Sequence, residues 1–174
     1  VRIIEKNHAT RDYDITAGES DIKLETKIQL KGDINGDGKV TTSDVRYILQ
    51  FLVDEVNKRG MKFGIWFEPE MISPDSELYR EHPDWAIQVP GRVAAMAREQ
   101  YVLDLSRDEV VDYVYERVAS ILRSANIEYV KWDMNRIFSD CYSRALPKDR
   151  QGEVFHRYVL GLYRVMKTLT EKFP

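Results

Sequence analysis

The sequence predicts an α/β fold for most of its 174 residues. Strand-like and helix-like stretches alternate from Met61 onward, a helix-opening signal stands between two of the strands, and the later strand ends in Lys-x-Asp-x-Asn. In YVKWDMNR, residues 129–136, period-two alternation puts Ile127, Tyr129, Lys131 and Asp133 on one face and Val130 and Trp132 on the other. Apolar and aromatic residues that lead into charge suit a buried strand whose C-terminal end opens into a site, as in (β/α) barrels. An ammonium beside a carboxylate keeps that carboxylate ionised, which suits a nucleophile or an electrostatic stabiliser. Taken alone, the same residues read equally well as a surface Lys–Asp pair.

Residues 1–31 form a β-rich, polar segment. Ile22, Leu24, Thr26, Ile28 and Leu30 alternate with Asp21, Lys23, Glu25, Lys27 and Gln29, an amphipathic strand. VRIIE predicts a second strand, with loop between the two. In the helix that follows an acidic loop, Val45, Ile48, Leu49, Leu52, Val53 and Val56 repeat at helical spacing and predict a core-facing stripe. Gly60 stands where a C-terminal cap belongs. Further on, MKFGIWF (61–67) is a strand, 68–92 a long loop with short helical turns, and QYVLDL (100–105) an extended segment. Ser106 and Glu109 have capping-box spacing before a helix along Val111, Val114, Val118 and Ile121. The strand ending at Asp133, a polar loop and a helix over about 152–172 complete the chain.

Composition narrows the function classes. A formal net charge of −3 with no basic cluster argues against a general nucleic-acid binder. No apolar run approaches the roughly 20 residues that span a membrane, and the N-terminus lacks a signal peptide's apolar segment. Cys141 is the only cysteine, so the chain forms no internal disulfide.

Asp33, Asn35, Asp37 and Asp44 stand at positions 1, 3, 5 and 12 of an acidic loop. Lys39 falls at position 7, where the backbone carbonyl serves, Thr41 at position 9, which acts through water, and Gly38 at the sharp turn. Hard oxygen donors at these spacings predict one structural Ca²⁺ held by an EF-hand-like loop and helix, residues 32–53. The plainer reading is an Asp/Gly-rich turn that caps a helix. With Asp at position 12 and no long helix ahead of it, the loop resembles a single dockerin repeat, where dockerins carry two. That resemblance implies a cohesin-like partner, selected by Thr42 and Ser43.

On the strand at 61–67, Lys62, Gly64, Trp66 and Glu68 share a face. A mid-strand glycine suggests close approach by another group, and Trp66 reads as a core or rim aromatic or as a stacking platform for a sugar. Glu68 and Glu70 flank Pro69, where a carboxylate more often fixes a loop than does chemistry. Arg98 alone reads as a surface arginine.

Together, FGIWFEPEMISPDSELYREHPDW, VPGR, REQYVLDLSR and YVKWDMNR closely resemble the α-galactosidases of glycoside hydrolase family 36, in order from about Leu52 to Pro174. The resemblance implies retaining hydrolysis of terminal α-galactosides such as melibiose or raffinose-type sugars. It makes Asp133 the nucleophile, Lys131 and Asn135 galactose contacts, Trp66 a lining of the sugar subsite and Arg98 a substrate-binding arginine. Residues 54–174 then form a partial (β/α) TIM barrel of about two β/α units, too few to close. The family's second carboxylate, in a Ser-Asp-Asn-like motif, has no counterpart here, so little turnover is expected, along with self-association through open strand edges. A natural fragment, a chimera without evolved function and a Ca²⁺-dependent docking module all accommodate the change of pattern near residue 45. Location follows the choice: secreted if the dockerin-like loop functions, cytoplasmic otherwise.

Overall fold

In the computed structural model, which describes residues 2–3, 11–12, 32–136 and 139–174, the chain divides into two units, Val1–Met61 and Lys62–Pro174. In the first unit β1 (Arg2–Ile3) pairs antiparallel with β2 (Arg11–Asp12), Arg2 opposite Asp12. Residues 11–12 are therefore strand, where the sequence reads as loop. The alternating segment 22–30 lies outside the described residues.

Helix α1 (Thr42–Lys58) is closed at both ends by its own sequence. Thr41 is the N-cap of a capping box, its side chain accepting from Ser43 N–H while Asp44 accepts from Thr41 N–H at 2.7 Å. At the other end Gly60 takes φ +71, and the amides of Gly60 and Met61 donate back to Asn57 and Val56. That is a Schellman turn, which needs a residue tolerant of left-handed backbone. The predicted apolar stripe is only partly inward. Val53 is buried, but Val45, Ile48 and Leu52 are exposed, because spacing fixes which residues share a face and not what covers it.

The second unit holds the alternation read from Met61 onward. Strand β3 (Gly64–Phe67) lies parallel to β6 (Tyr129–Trp132), with Trp66 opposite Lys131. Between them come β4 (Met71–Ile72), α2 (Glu77–Glu81), a 3₁₀ turn at Pro83–Trp85, β5 (Tyr101–Val102) and α3 (Asp108–Leu122). A 3₁₀ turn at Lys148–Glu153 leads into α4 (Val154–Lys172). The order β3–α3–β6–α4 gives two β/α units, with β4 and β5 as an antiparallel excursion from the first.

Packing follows helical period. Val110, Val111, Val114, Val118 and Leu122 of α3 meet Tyr158, Val165 and Leu169 of α4 in one core. Each fully buried aliphatic contributes about 1.5–3 kcal/mol. The pleat alternates as the sequence predicts: Val130 and Trp132 are half-buried, while Tyr129 and Lys131 are exposed. That exposure of one face corrects the expectation of a buried strand. At Gly64 an added Cβ would come within 3.0 Å of the Tyr129 ring, so here the close neighbour of the mid-strand glycine is Tyr129.

The predicted capping box at Ser106 and Glu109 does not form. The N-cap is Arg107, whose side chain makes no capping hydrogen bond. The Ser106 hydroxyl and N–H both donate to Asp104, and Arg107 draws in Glu109 while bridging to Asp84. Stronger local partners take both groups the box would need.

Candidate active site

Parallel pairing brings the C-terminal ends of β3 and β6 side by side, and the five residues singled out for catalysis and sugar contact meet there. The ladder runs one residue past β6, where Asp133 N–H donates to Phe67 C=O at 2.9 Å. This fixes Asp133 at the rim of the sheet. The Trp66 indole N–H donates to Asp133 Oδ2 at 3.2 Å, and Lys131 Nζ lies 3.7 Å from the same oxygen. Asn135's side-chain amide, the Trp66 N–H and the Lys131 charge hold the Asp133 carboxyl below its ordinary range, against partial desolvation. Trp66 itself is 53% exposed, so its ring lines an open surface.

Asn135 links this group to a second one. Its side-chain amide also donates to Glu68 Oε1, and Arg98 Nη1 meets that same oxygen at 3.0 Å. Arg98 is presented by a two-residue turn in which Ala97 and Gln100 exchange backbone hydrogen bonds of 3.2 and 3.0 Å. Both central residues, Arg98 and Glu99, have left-handed backbone, with φ +52 and +59. A non-glycine pair there stores strain. Asp133, Trp66, Lys131, Asn135, Glu68 and Arg98 thus form one connected network of two carboxylates and two cations.

Glu68 joins the sugar-contact candidates as the group that holds two of them. Its place on the face of Gly64 and Trp66 was the signal. Glu70, two residues on, turns inward and is buried, accepting from Asn135 N–H at 3.0 Å. Both glutamates fix a loop, as the Glu-Pro-Glu run suggests.

In the first unit the acidic loop closes on itself. Asp33 and Asp44 are each 2% exposed. Asp33 accepts from the amides of Gly36, Asp37 and Gly38, and Asp44 from those of Ile34, Asn35 and Thr41. These backbone bonds, Thr41's foremost, keep the Asp44 carboxyl below its usual range. Asn35 Nδ2 donates to Asp37 at 2.9 Å, Lys39 N–H also donates to Asp37, and Thr41 caps α1. Gly36 and Gly38 take φ +75 and +85, which makes the tight turn. Among the described residues no group of three or more His, Cys, Asp or Glu side chains is gathered as a metal would need.

Comparison with known proteins bears on this geometry. The Melibiase family model matches residues 31–174. The chain belongs to the melibiase family. The match takes in the acidic loop and α1 as well as the ordered motifs that begin near Leu52. The chain is 55% identical over 126 residues to the α-galactosidase AgaA of Geobacillus stearothermophilus, covering 72% of this chain and 17% of that protein. It is 50% identical over 139 residues to α-galactosidase Mel36A of Lactobacillus acidophilus, covering 80% and 19%. Among solved structures, the family-36 α-galactosidase AgaB of G. stearothermophilus superposes with a TM-score of 0.73 at 52% identity, covering 79% of this chain and 19% of that one. A variant of AgaA in complex with raffinose superposes at 0.70 and 55%, covering 72% and 18%. The chain thus spans about a fifth of the length of the curated relatives it matches. It is an α/β segment of a melibiase domain.

Proposed function

We propose that this melibiase segment carries the nucleophile and part of the sugar subsite of a retaining α-galactosidase. One observation supports the reading above others: Asp133 is gripped at once by Trp66, Lys131 and Asn135. Held ionised, its oxygen attacks the anomeric carbon of a terminal α-galactoside. The exposed Trp66 ring stacks on the apolar face of the sugar, and Lys131, Asn135 and Arg98 donate to its hydroxyls. Raffinose and stachyose are bound by variants of AgaA, which favours melibiose and raffinose-type sugars as ligands here. A retaining mechanism also needs a general acid about 5–5.5 Å from the nucleophile, and we assign none of this chain's residues that role. The chain therefore binds galactosides and turns them over poorly. Calorimetry with a galactose-configured iminosugar tests binding, and absence of binding to the parent chain would overturn the reading. Efficient release of an aryl galactoside or cleavage of melibiose, abolished in Asp133→Asn, would overturn the expected inactivity.

The acidic loop supports a second role, a structural Ca²⁺ site. Asp33, Asn35, Asp37, Asp44 and the Lys39 carbonyl supply hard oxygens, with Thr41 acting through water. Two left-handed glycines allow the turn such a loop needs. Titration of Ca²⁺ into EDTA-stripped protein, followed by circular dichroism, tests this. Saturable one-site binding with a gain in helicity supports it, and no binding by a folded chain reduces the loop to a cap. A cohesin-like partner, and with it secretion, is a separate reading that rests on the dockerin-like pattern, and a cohesin pull-down with and without EDTA tests it. The outer edges of the β3–β6 pair, unpaired among the described residues, favour self-association. A monomeric profile in sedimentation would overturn that.

A further inference from the structure

The segment after β6 holds Asp133 and Asn135, and residues 133–136 belong to no helix or strand. What fixes it comes from elsewhere in the fold. Glu70 stands three residues beyond β3 and is anchored through its own backbone, whose C=O accepts from Leu103 N–H at 2.9 Å. Its side chain is 1% exposed, and Oε1 accepts the backbone N–H of Asn135 at 3.0 Å. Pro69 fixes the backbone between the two glutamates. Glu68 and Glu70 then reach the same residue by different routes, one at the Asn135 side chain and the other at its main chain.

The surroundings of Glu70 argue against simple packing. Its second oxygen, Oε2, is buried and has no hydrogen-bond partner among the described residues, as is true of Oδ2 of the buried Asp104. Both carboxylates bear on the phenol of Tyr158, which burial first, and then these charges, push well above its usual range. An orphaned carboxylate oxygen in a low-dielectric site is costly. An apolar side chain of similar size would often pack there at no loss, or with a gain, in stability. What such a side chain could not supply is an acceptor for Asn135 N–H.

We propose that Glu70 is a positioning residue, whose buried carboxylate holds the Asn135 backbone and thereby aims the Asp133–Asn135 segment over the end of the β3–β6 pair. Its consequence for sugar affinity rests on the α-galactoside reading above. Its consequence for the backbone does not. A hydrogen bond from an amide to a carboxylate slows hydrogen exchange by about tenfold or more. The test compares the full chain with Glu70→Gln, which keeps an acceptor oxygen, and Glu70→Leu, which has none.

Amide-resolved exchange by NMR is the first readout. The Asn135 amide exchanges at least about tenfold faster in Glu70→Leu and within about threefold of the parent in Glu70→Gln. The amides of Val114 and Val118, in the α3 core, keep their rates in both variants. Equal protection of Asn135 in the leucine variant would overturn the proposal, and so would acceleration of the α3 amides by the same factor. Iminosugar affinity is the second readout, weakened about tenfold in Glu70→Leu and recovered in Glu70→Gln. Unchanged affinity in the leucine variant of a chain that binds sugar would also overturn the proposal. If the parent binds no sugar, the α-galactoside reading fails, and the amide comparison still decides the role of Glu70.

Discussion

Gly161 sets how closely α4 can sit on the rest of its unit. A Cβ built there would lie 1.9 Å from the Leu105 carbonyl oxygen and 2.9 Å from Val111 Cγ2. Restoring ordinary contact needs α4 to retreat by roughly 1.5 Å from a backbone group that cannot swing aside. Val111, Val165 and Leu105 are all buried around this point, so the shift would open gaps on both sides. Helix propensity alone favours alanine over glycine by about 1 kcal/mol. Overpacking costs about 1–3 kcal/mol, and a clash with main chain belongs at the upper end. Gly161→Ala is therefore expected to lose about 2 kcal/mol net. Urea denaturation should read this as a lower midpoint at unchanged slope. Gly152→Ala is the control, since no atom of the described residues lies within 4 Å of a Cβ there. It should range from neutral to a gain of about 1 kcal/mol. A Gly161→Ala variant more stable than its parent would refute the seating of α4 on Leu105.

Three further perturbations probe the electrostatics and the strain. Glu153 accepts from Arg150 and Arg157, which depress its carboxyl from 4.5 to about 2. A depressed acid contributes stability above its unfolded pKa and loses it as pH falls through the folded one. Glu153→Gln should thus flatten the acid limb of the stability profile between pH 4.5 and about 2, and coincident profiles would contradict the assignment. By the same sign, the Asp133 carboxyl should titrate below the ordinary aspartate range in a ¹³C NMR titration, moving up toward that range in Trp66→Phe. A parent midpoint at or above that range would count against the cluster at the end of β6. Relieving the left-handed turn by Glu99→Gly should stabilise the chain by about 1 kcal/mol. A loss of stability would show that the Glu99 side chain carries weight that its backbone strain conceals.

Much of the site was legible because strands impose parity. Trp66 and Glu68 share a face by spacing alone, as do Lys131 and Asp133, and parallel pairing in register brought the two faces together. Side-chain partners were harder to read. Ser106 and Glu109 have the right spacing for a capping box, yet Asp104 and Arg107 outcompete the helix end for them. The apolar stripe of α1 was visible as a period, but nothing in a period states what covers it, and Val45 and Ile48 are exposed. Glu70 illustrates the opposite limit. A Glu-Pro-Glu run suggests a loop fastening, whereas the residue fastened lies 65 positions away and emerges only when β6 is laid beside β3.

On the proposed reading, Asp133 is a nucleophile already assembled with its sugar contacts. Incubation with α-galactosyl fluoride, followed by mass spectrometry of peptides, tests it most directly. The Asp133 oxygen forms a bond to the anomeric carbon as the carbon–fluorine bond breaks, and fluoride leaves without needing a proton. With no residue assigned to activate water for the second step, the galactosyl ester should accumulate on the peptide containing Asp133 and be absent from Asp133→Asn. An unmodified Asp133 peptide, or an adduct that persists in the asparagine variant, would contradict the account.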